Sequence, residues 1–254
     1  MNDVGSQGSR PIRAVSLDFW DTIYTGAATP ERVSLRRRAV GDLLAAYGKA
    51  LPPEEIERLY RETGKEADRW WREEHRGYTT AERLHHLLER AALTAREDCE
   101  HVAACARAVD DALETYPPPL LPGARELIER LAARFPLVIV SDTGFASGAA
   151  QDRLLARDGI LDLFVARIYS ADIGWAKPRP EPFDAAARAL ADRGIGRHEI
   201  VHVGDIERTD VAGALAAGMR AIRLDVVRQS GPSAAEHVAV RMAEVEEYVE
   251  ARRG

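Results

Sequence analysis

An α/β fold, with a doubly wound parallel sheet and an inserted α-helical domain, is what this sequence predicts. Three observations carry it. Short apolar runs such as FPLVIVS and EIVHVGD read as parallel strands covered on both faces. From residue 118 onward these runs alternate with helical patterns, the signature of a doubly wound sheet. Between about 30 and 116 no strand pattern is found, and apolar residues recur at helical spacing.

Each element follows in chain order. Residues 1–12, MNDVGSQGSRPI, are polar and lack the apolar segment of a signal peptide, so a flexible tail is expected. RAVSLD, 13–18, reads as the first strand. A linker containing Gly26 leads into a helical domain over 26–117. Thr29-Pro30, Pro52-Pro53 and Thr79 or Thr80 mark three helix starts, and a fourth helix covers roughly 95–115. Pro117-Pro118-Pro119 closes the insert. The core resumes with a helix near 123–134, the strand FPLVIVS, a helix near 147–156 and the strand FVARIYS. A helix near 181–193, EIVHVGD, a helix near 208–217, MRAIRLD and a last helix over about 233–252 complete it. The core thus comprises 13–25 and 118–254.

Bulk composition narrows the function classes. The 254 residues carry a formal net charge of -6, and no basic block stands apart from acids, so nucleic acid is not an expected partner. The arginines at 32 and 36–38 read as a solvated helix face. No apolar run approaches the roughly 20 residues of a membrane span, and a cytoplasmic location is expected. Cys99 and Cys105, six apart in one helix, read as free thiols.

Ligands of such sheets bind beyond the carboxyl ends of the strands. The first strand ends in Asp18-Phe19-Trp20-Asp21-Thr22, the second in Ser141-Asp142-Thr143-Gly144 and the fourth in Gly204-Asp205, with Asp210 five residues on. Lys177 sits in a Pro-rich turn before the fourth strand. A carboxylate such as Asp18 can attack phosphorus and form an acyl phosphate. Asp18 and Asp205 offer hard oxygen ligands suited to Mg²⁺, and Asp210 would orient that shell. Lys177 can balance charge, and Ser141 with nearby backbone N–H groups can bind phosphoryl oxygens.

In order and spacing, residues 13–226 resemble the haloacid dehalogenase-like hydrolases. VSLDFWDTI looks like their first motif, LVIVSDTG the second, IGWAKPRPEPF the third and IVHVGDIERTDVAGALAAGM the fourth. The resemblance implies catalytic roles for Asp18, Ser141 and Lys177, and Mg²⁺ held by Asp18, Asp205, Asp210 and the backbone carbonyl of Trp20. The insert corresponds to a helical cap. Trp20, Asp142, Thr143 and Trp175 are the expected substrate contacts, and the substrate is a small organic phosphate. A monomer or homodimer is expected.

One position departs from the pattern. The family's phosphatases carry a second Asp two residues after the nucleophile, to protonate the leaving group, and here Trp20 stands there. An indole cannot transfer that proton, and such help is typically worth ~10²–10⁴-fold. Two alternatives follow. One is hydrolysis of a carbon–heteroatom bond, dehalogenase-like or phosphonatase-like, the latter needing a cap lysine such as Lys49 or Lys65. The other is an impaired enzyme with a binding or regulatory role. Asp21 reads as a loop hydrogen-bonding residue pointing away from Asp18 and Trp20, and His202 as a packed, hydrogen-bonded core residue. Trp70 and Trp71 are read as packing inside the cap, with Arg72 and Arg76 facing water.

Overall fold

The computed structural model describes residues 11–94, 100–227 and 231–253. Six parallel strands form one sheet in the order β3-β2-β1-β4-β5-β6. They are β1 (Ala14–Leu17), β2 (Leu137–Ser141), β3 (Phe164–Tyr169), β4 (Ile200–Gly204), β5 (Arg220–Leu224) and β6 (His237–Ala239). All residues of β1, β2, β4 and β5 are buried, as the continuous apolar runs require, because helices cover both faces.

Alternation along each strand feeds two cores. Val15, Leu17, Leu137, Ile139, Val201 and Val203 face one, and Ala14, Val138, Val140 and Ile200 face the other. Helices α5 (Ala124–Ala132), α6 (Gly148–Arg157) and α10 (Met242–Glu250) supply the first, while α8 (Pro180–Ala191) and the short α9 (Ala212–Ala216) supply the second. The four-residue α7 (Ser170–Ile173) follows β3 directly.

The insert holds α1 (Pro30–Ala46), α2 (Pro53–Arg72), α3 (Thr80–Arg90) and α4 (Glu100–Thr115) around a third core of Val40, Leu43, Leu44, Leu84, Leu87 and Leu88. Two of the three expected start signals work through their side chains, and the third, Pro52-Pro53, places proline at the first turn of α2. Thr29 accepts from the Arg32 N–H at 3.2 Å, and Thr79 forms a capping box with Glu82.

Several expectations need correction. Ile12, expected in the tail, is fully buried and donates its N–H to the Arg252 carbonyl, so the core begins there; residues 1–10 lie outside the described ones. The last helix opens at Met242, because His237–Ala239 adds a sixth strand to β5. A strand of three residues on a sheet edge has too short a pattern to read. The helix expected near 208–217 is split, with a π-turn over Glu207–Val211 ahead of α9. Cys105 is a buried free thiol on α4, while Cys99 lies outside the described residues. No helix among the described residues is long and apolar enough to cross a membrane.

Candidate active site

The strand order reverses between β1 and β4, whose ends pair Leu17 with Val203. A crevice opens at such a point, and Asp18 and Asp205 leave the sheet beside it. Asp18, Asp205 and Asp210 are all buried, and each offers an oxygen within 4.8 Å of the others'. Three carboxylates so close repel one another unless cations intervene. Lys177 is one such cation. Its Nζ donates to Asp18 Oδ1 and to Asp210 Oδ1, both at 2.6 Å, and it is only 2% exposed. The Lys177–Pro178 peptide is cis.

Burial raises the Asp18 carboxyl well above its ordinary value, and Asp210 and Asp205 add to this against the pull of Lys177. Burial also works against ionisation of Asp210, but Lys177 and then His202 outweigh it and hold Asp210 low. Burial opposes the charge on Lys177, yet Asp18, Asp210 and Asp142 keep it firmly protonated. One ammonium for three carboxylates leaves net negative charge in a nearly dry site. A hard divalent cation with oxygen ligands fits that donor set.

The support beneath these groups is specific. His202 Nε2 lies 3.2 Å from Asp210 Oδ1, and Nδ1 lies 2.9 Å from Ser16 Oγ. An ionised carboxylate only accepts, so Nε2 carries the proton and Nδ1 accepts from Ser16. Burial lowers the His202 pKa and keeps the ring neutral. The Ile206 N–H donates to Asp210 Oδ2 at 2.9 Å. Gly204 is required by contact: a Cβ there would stand 2.4 Å from Asp210 Cγ.

Above the carboxylates lies a cavity of about 570 Å³ between core and cap. The core lines it with Asp18, Trp20, Asp21, Asp142, Thr143, Lys177, Asp205 and Asp210, and the cap lines it with Arg32, Arg36, Asp68, Trp71, Arg76 and Tyr78. Asp142 joins the two. It accepts from Trp71 Nε1 at 2.8 Å and from the Lys177 N–H at 3.1 Å. A second tie is backbone to backbone: Gly77 N–H donates to Gly174 O at 3.1 Å and Ala176 N–H to His75 O at 2.9 Å. A Cβ on Gly77 would come within 1.9 Å of the Ser170 carbonyl oxygen.

Asp18, Trp20, Asp142, Thr143, Lys177, Asp205 and Asp210 thus come together. Ser141 and Trp175 do not line the cavity. The Ser141 hydroxyl donates to Gln151 Oε1 at 2.8 Å inside the core. Trp175 is 39% exposed and stacks under the Arg179 guanidinium at 4.4 Å, because its segment is spent pairing with the cap. Asp21 does line the cavity, contrary to the extended-chain reading, because its φ of 54° turns the chain; its Oδ1 accepts from the Gly26 N–H at 2.7 Å. Trp70 packs in the cap against Tyr78 and His86 as expected, while Trp71 reaches the core. Lys49 donates to the Ala91 carbonyl, and neither it nor Lys65 lines the cavity.

Arg32 and Arg36 are the largest surprise, being 2% and 8% exposed rather than solvated. The signal was in the spacing. The buried face of α1 runs Arg32, Arg36, Ala39, Val40 and Leu43, and both arginines fall on it.

A family model described as haloacid dehalogenase-like hydrolase matches residues 12–218. The chain belongs to the haloacid dehalogenase-like hydrolases. It is 32% identical over 222 residues to the glyceraldehyde 3-phosphate phosphatase of Methanopyrus kandleri, covering 84% of each chain. A pyrimidine 5'-nucleotidase of Escherichia coli is 30% identical over 112 residues, 44% of this chain and 48% of that one. Among solved structures, the 2-haloacid dehalogenase of Pseudomonas syringae pv. Tomato is 26% identical, covering 95% of this chain and 99% of that one with a TM-score of 0.67. A phosphatase of this family from Thermococcus onnurineus shares the fold at 23% identity and a TM-score of 0.66, covering 96% of this chain and all of the other. As a haloacid dehalogenase-like hydrolase the protein is an enzyme of hydrolysis, and its parallel core is that family's.

Proposed function

We propose that this hydrolase is a Mg²⁺-dependent phosphatase that acts on a small organic phosphate, with Asp18 as nucleophile. The observation that carries the reading is the buried trio of Asp18, Asp205 and Asp210 around Lys177. Hydrolysis of a carbon–halogen bond needs no divalent ion, and a third carboxylate would only oppose the approach of an anionic substrate. Phosphoryl transfer uses the ion, and the relative similar over 84% of the chain is named for a phosphate ester.

Asp18, Asp205, Asp210 and the Trp20 carbonyl would hold Mg²⁺, which neutralises carboxylate and phosphate charge when bound. Within that frame Lys177 stays protonated and orients Asp18 through Oδ1. One Asp18 carboxylate oxygen attacks phosphorus, the ester oxygen departs, and water later cleaves the aspartyl phosphate. Thr143 and Asp142 edge the phosphoryl site, the latter held by Trp71 and the Lys177 backbone. Trp20 offers no proton to the departing oxygen. Esters with stable leaving groups are therefore favoured, with Asp21 or water as the proton source for others. The Trp20 ring packs edge-on against Phe19 at 4.8 Å and adds apolar surface to the cavity lining.

The test is phosphate release from p-nitrophenyl phosphate. Wild type with Mg²⁺ turns over, EDTA stops it, and Asp18→Asn abolishes it. Equal inertness of wild type and Asp18→Asn across a broad phosphate panel rejects the reading. Trp20→Asp is expected to raise turnover of unactivated alkyl phosphates by tenfold or more, within the ~10²–10⁴ range of proton-transfer catalysis.

A further inference from the structure

Two buried cationic side chains of the cavity lack an ion pair among the described residues. Arg32 and Arg36 lie one turn apart on α1 and line the same cavity as Asp18. Neither forms an ion pair with a carboxylate among the described residues, although neighbouring Arg37 pairs with Glu57. Their contacts are sparse. Arg32 Nη2 donates to the Ala27 carbonyl at 2.9 Å, and its Nε is buried without a hydrogen-bond partner. Arg36 Nε donates to the Val109 carbonyl at 3.4 Å, its guanidinium lies 5.7 Å from the centre of the Phe145 ring, and the Tyr60 hydroxyl is a neutral hydrogen-bond partner beside it. Asp110 acts on Arg36 only at longer range and is itself engaged by the Ser147 N–H and hydroxyl at 3.0 and 2.6 Å. Burial and then the Arg36 charge lower the Arg32 pKa, and burial together with Arg83 lowers that of Arg36 against the support of Tyr60.

Buried charges persist where something compensates them. Each guanidinium has five N–H donors in a planar fork that matches an oxyanion. We propose that Arg32 and Arg36 form a second anion subsite, which takes a carboxylate or phosphate on the leaving-group half of the substrate. The proposal rests on the phosphatase reading for the first anion, and it restricts the substrate class to phosphate esters with two anionic ends. Because α1 belongs to the cap and Asp18 to the sheet, such a molecule would span the two domains and hold them together.

The binding test uses Asp18→Asn in Mg²⁺, titrated calorimetrically with matched pairs. 3-Phosphoglycerate against glycerol 3-phosphate probes a carboxylate, and fructose 1,6-bisphosphate against fructose 6-phosphate probes a second phosphate. At least one doubly anionic member is expected to bind about tenfold or more tightly than its partner, and the pair that shows it identifies the anion. In Arg32→Met/Arg36→Met that ratio should fall to about one, Arg36→Lys should restore part of it, and Arg38→Met, which removes the same charge from the exposed side of α1, should leave it standing. Equal affinities within both pairs, or a preference untouched by the double substitution, overturn the proposal. Thermal unfolding adds an independent readout. Unpaired arginines kept for a ligand can be replaced by Met with Tm held or raised, whereas collapse of the fold would mark them as structural and reject the subsite. If the preference holds but wild type releases no phosphate from any ester, the phosphatase reading fails and the anion subsite stands.

Discussion

At the residue scale, His202 is one group through which the site's stability depends on pH. It is buried and neutral between Ser16 and Asp210, with its pKa below the ordinary 6.5. As pH falls through about 6.5 the unfolded chain takes up a proton on this histidine that the folded chain refuses. Stability is therefore present above that pH and is lost on acidification. Wild-type Tm should drop more steeply below pH 6.5 than that of His202→Gln; parallel profiles would remove His202 from the account. Gly204 is the second sensitive position. Gly204→Ala forces a Cβ into Asp210, and overpacking of this kind costs about 1–3 kcal/mol. Both Tm and kcat should fall, measurable by calorimetry and steady-state kinetics. The sequence marked Asp18, Lys177 and Asp205 because each stands at a strand end or a Pro-rich turn, and Asp210 by its fixed spacing of five from Asp205. It could not mark the Trp71–Asp142 bond, which joins residues 71 apart through a cap placement that no local pattern encodes.

At the element scale, the helical insert was legible because its starts are chemical. Thr29, Pro53 and Thr79 stand at or beside the first residues of α1, α2 and α3. The buried central strands were equally clear as apolar runs. The misses were β6 and the π-turn before α9, short segments whose conformation is set by neighbours: β6 by pairing with β5, the turn by the Asp210 contacts with Ile206. Helix α1 carries two jobs on one face, with Arg32 and Arg36 toward the cavity and Val40, Leu43 and Leu44 in the cap core. Leu44 is fully buried, so Leu44→Ala should cost about 2–5 kcal/mol, read as a lower urea midpoint. On α4, burial pushes the Cys105 thiol up to about 12. It should resist Ellman's reagent at pH 8 until the protein is unfolded, and prompt labelling of Cys105 in the native protein would contradict its placement.

At the scale of the whole molecule, the ties between cap and core include the Trp71–Asp142 bond, the backbone pairing of 75–77 with 174–176 and the Ser147 bonds to Asp110. A hydrogen bond to a charged acceptor is worth about 1.5–3 kcal/mol. Trp71→Phe should therefore raise KM for a phosphate ester several-fold more than it lowers kcat, because it loosens the closed arrangement without touching Asp18. A Mg²⁺ site made only by the folded chain should also raise Tm with ion concentration, by about 2.7 kcal/mol of stability at a hundred times its Kd. Asp205→Asn should blunt that rise in a thermal melt, and an unchanged rise would place the ion elsewhere.

Of the described strands, β1, one of the two in the middle of the sheet, comes first along the chain. β1 lies between β2, which starts at Leu137, and β4, which starts at Ile200. On the ribosome, Val15 and Leu17 therefore emerge more than a hundred residues before either flanking partner exists. The four-helix insert, built from local contacts, can collapse in that interval, while β1 must wait unpaired. The apolar strand that leads into Asp18 thus depends longest on the growing chain, or on chaperones, to keep it from associating with its neighbours.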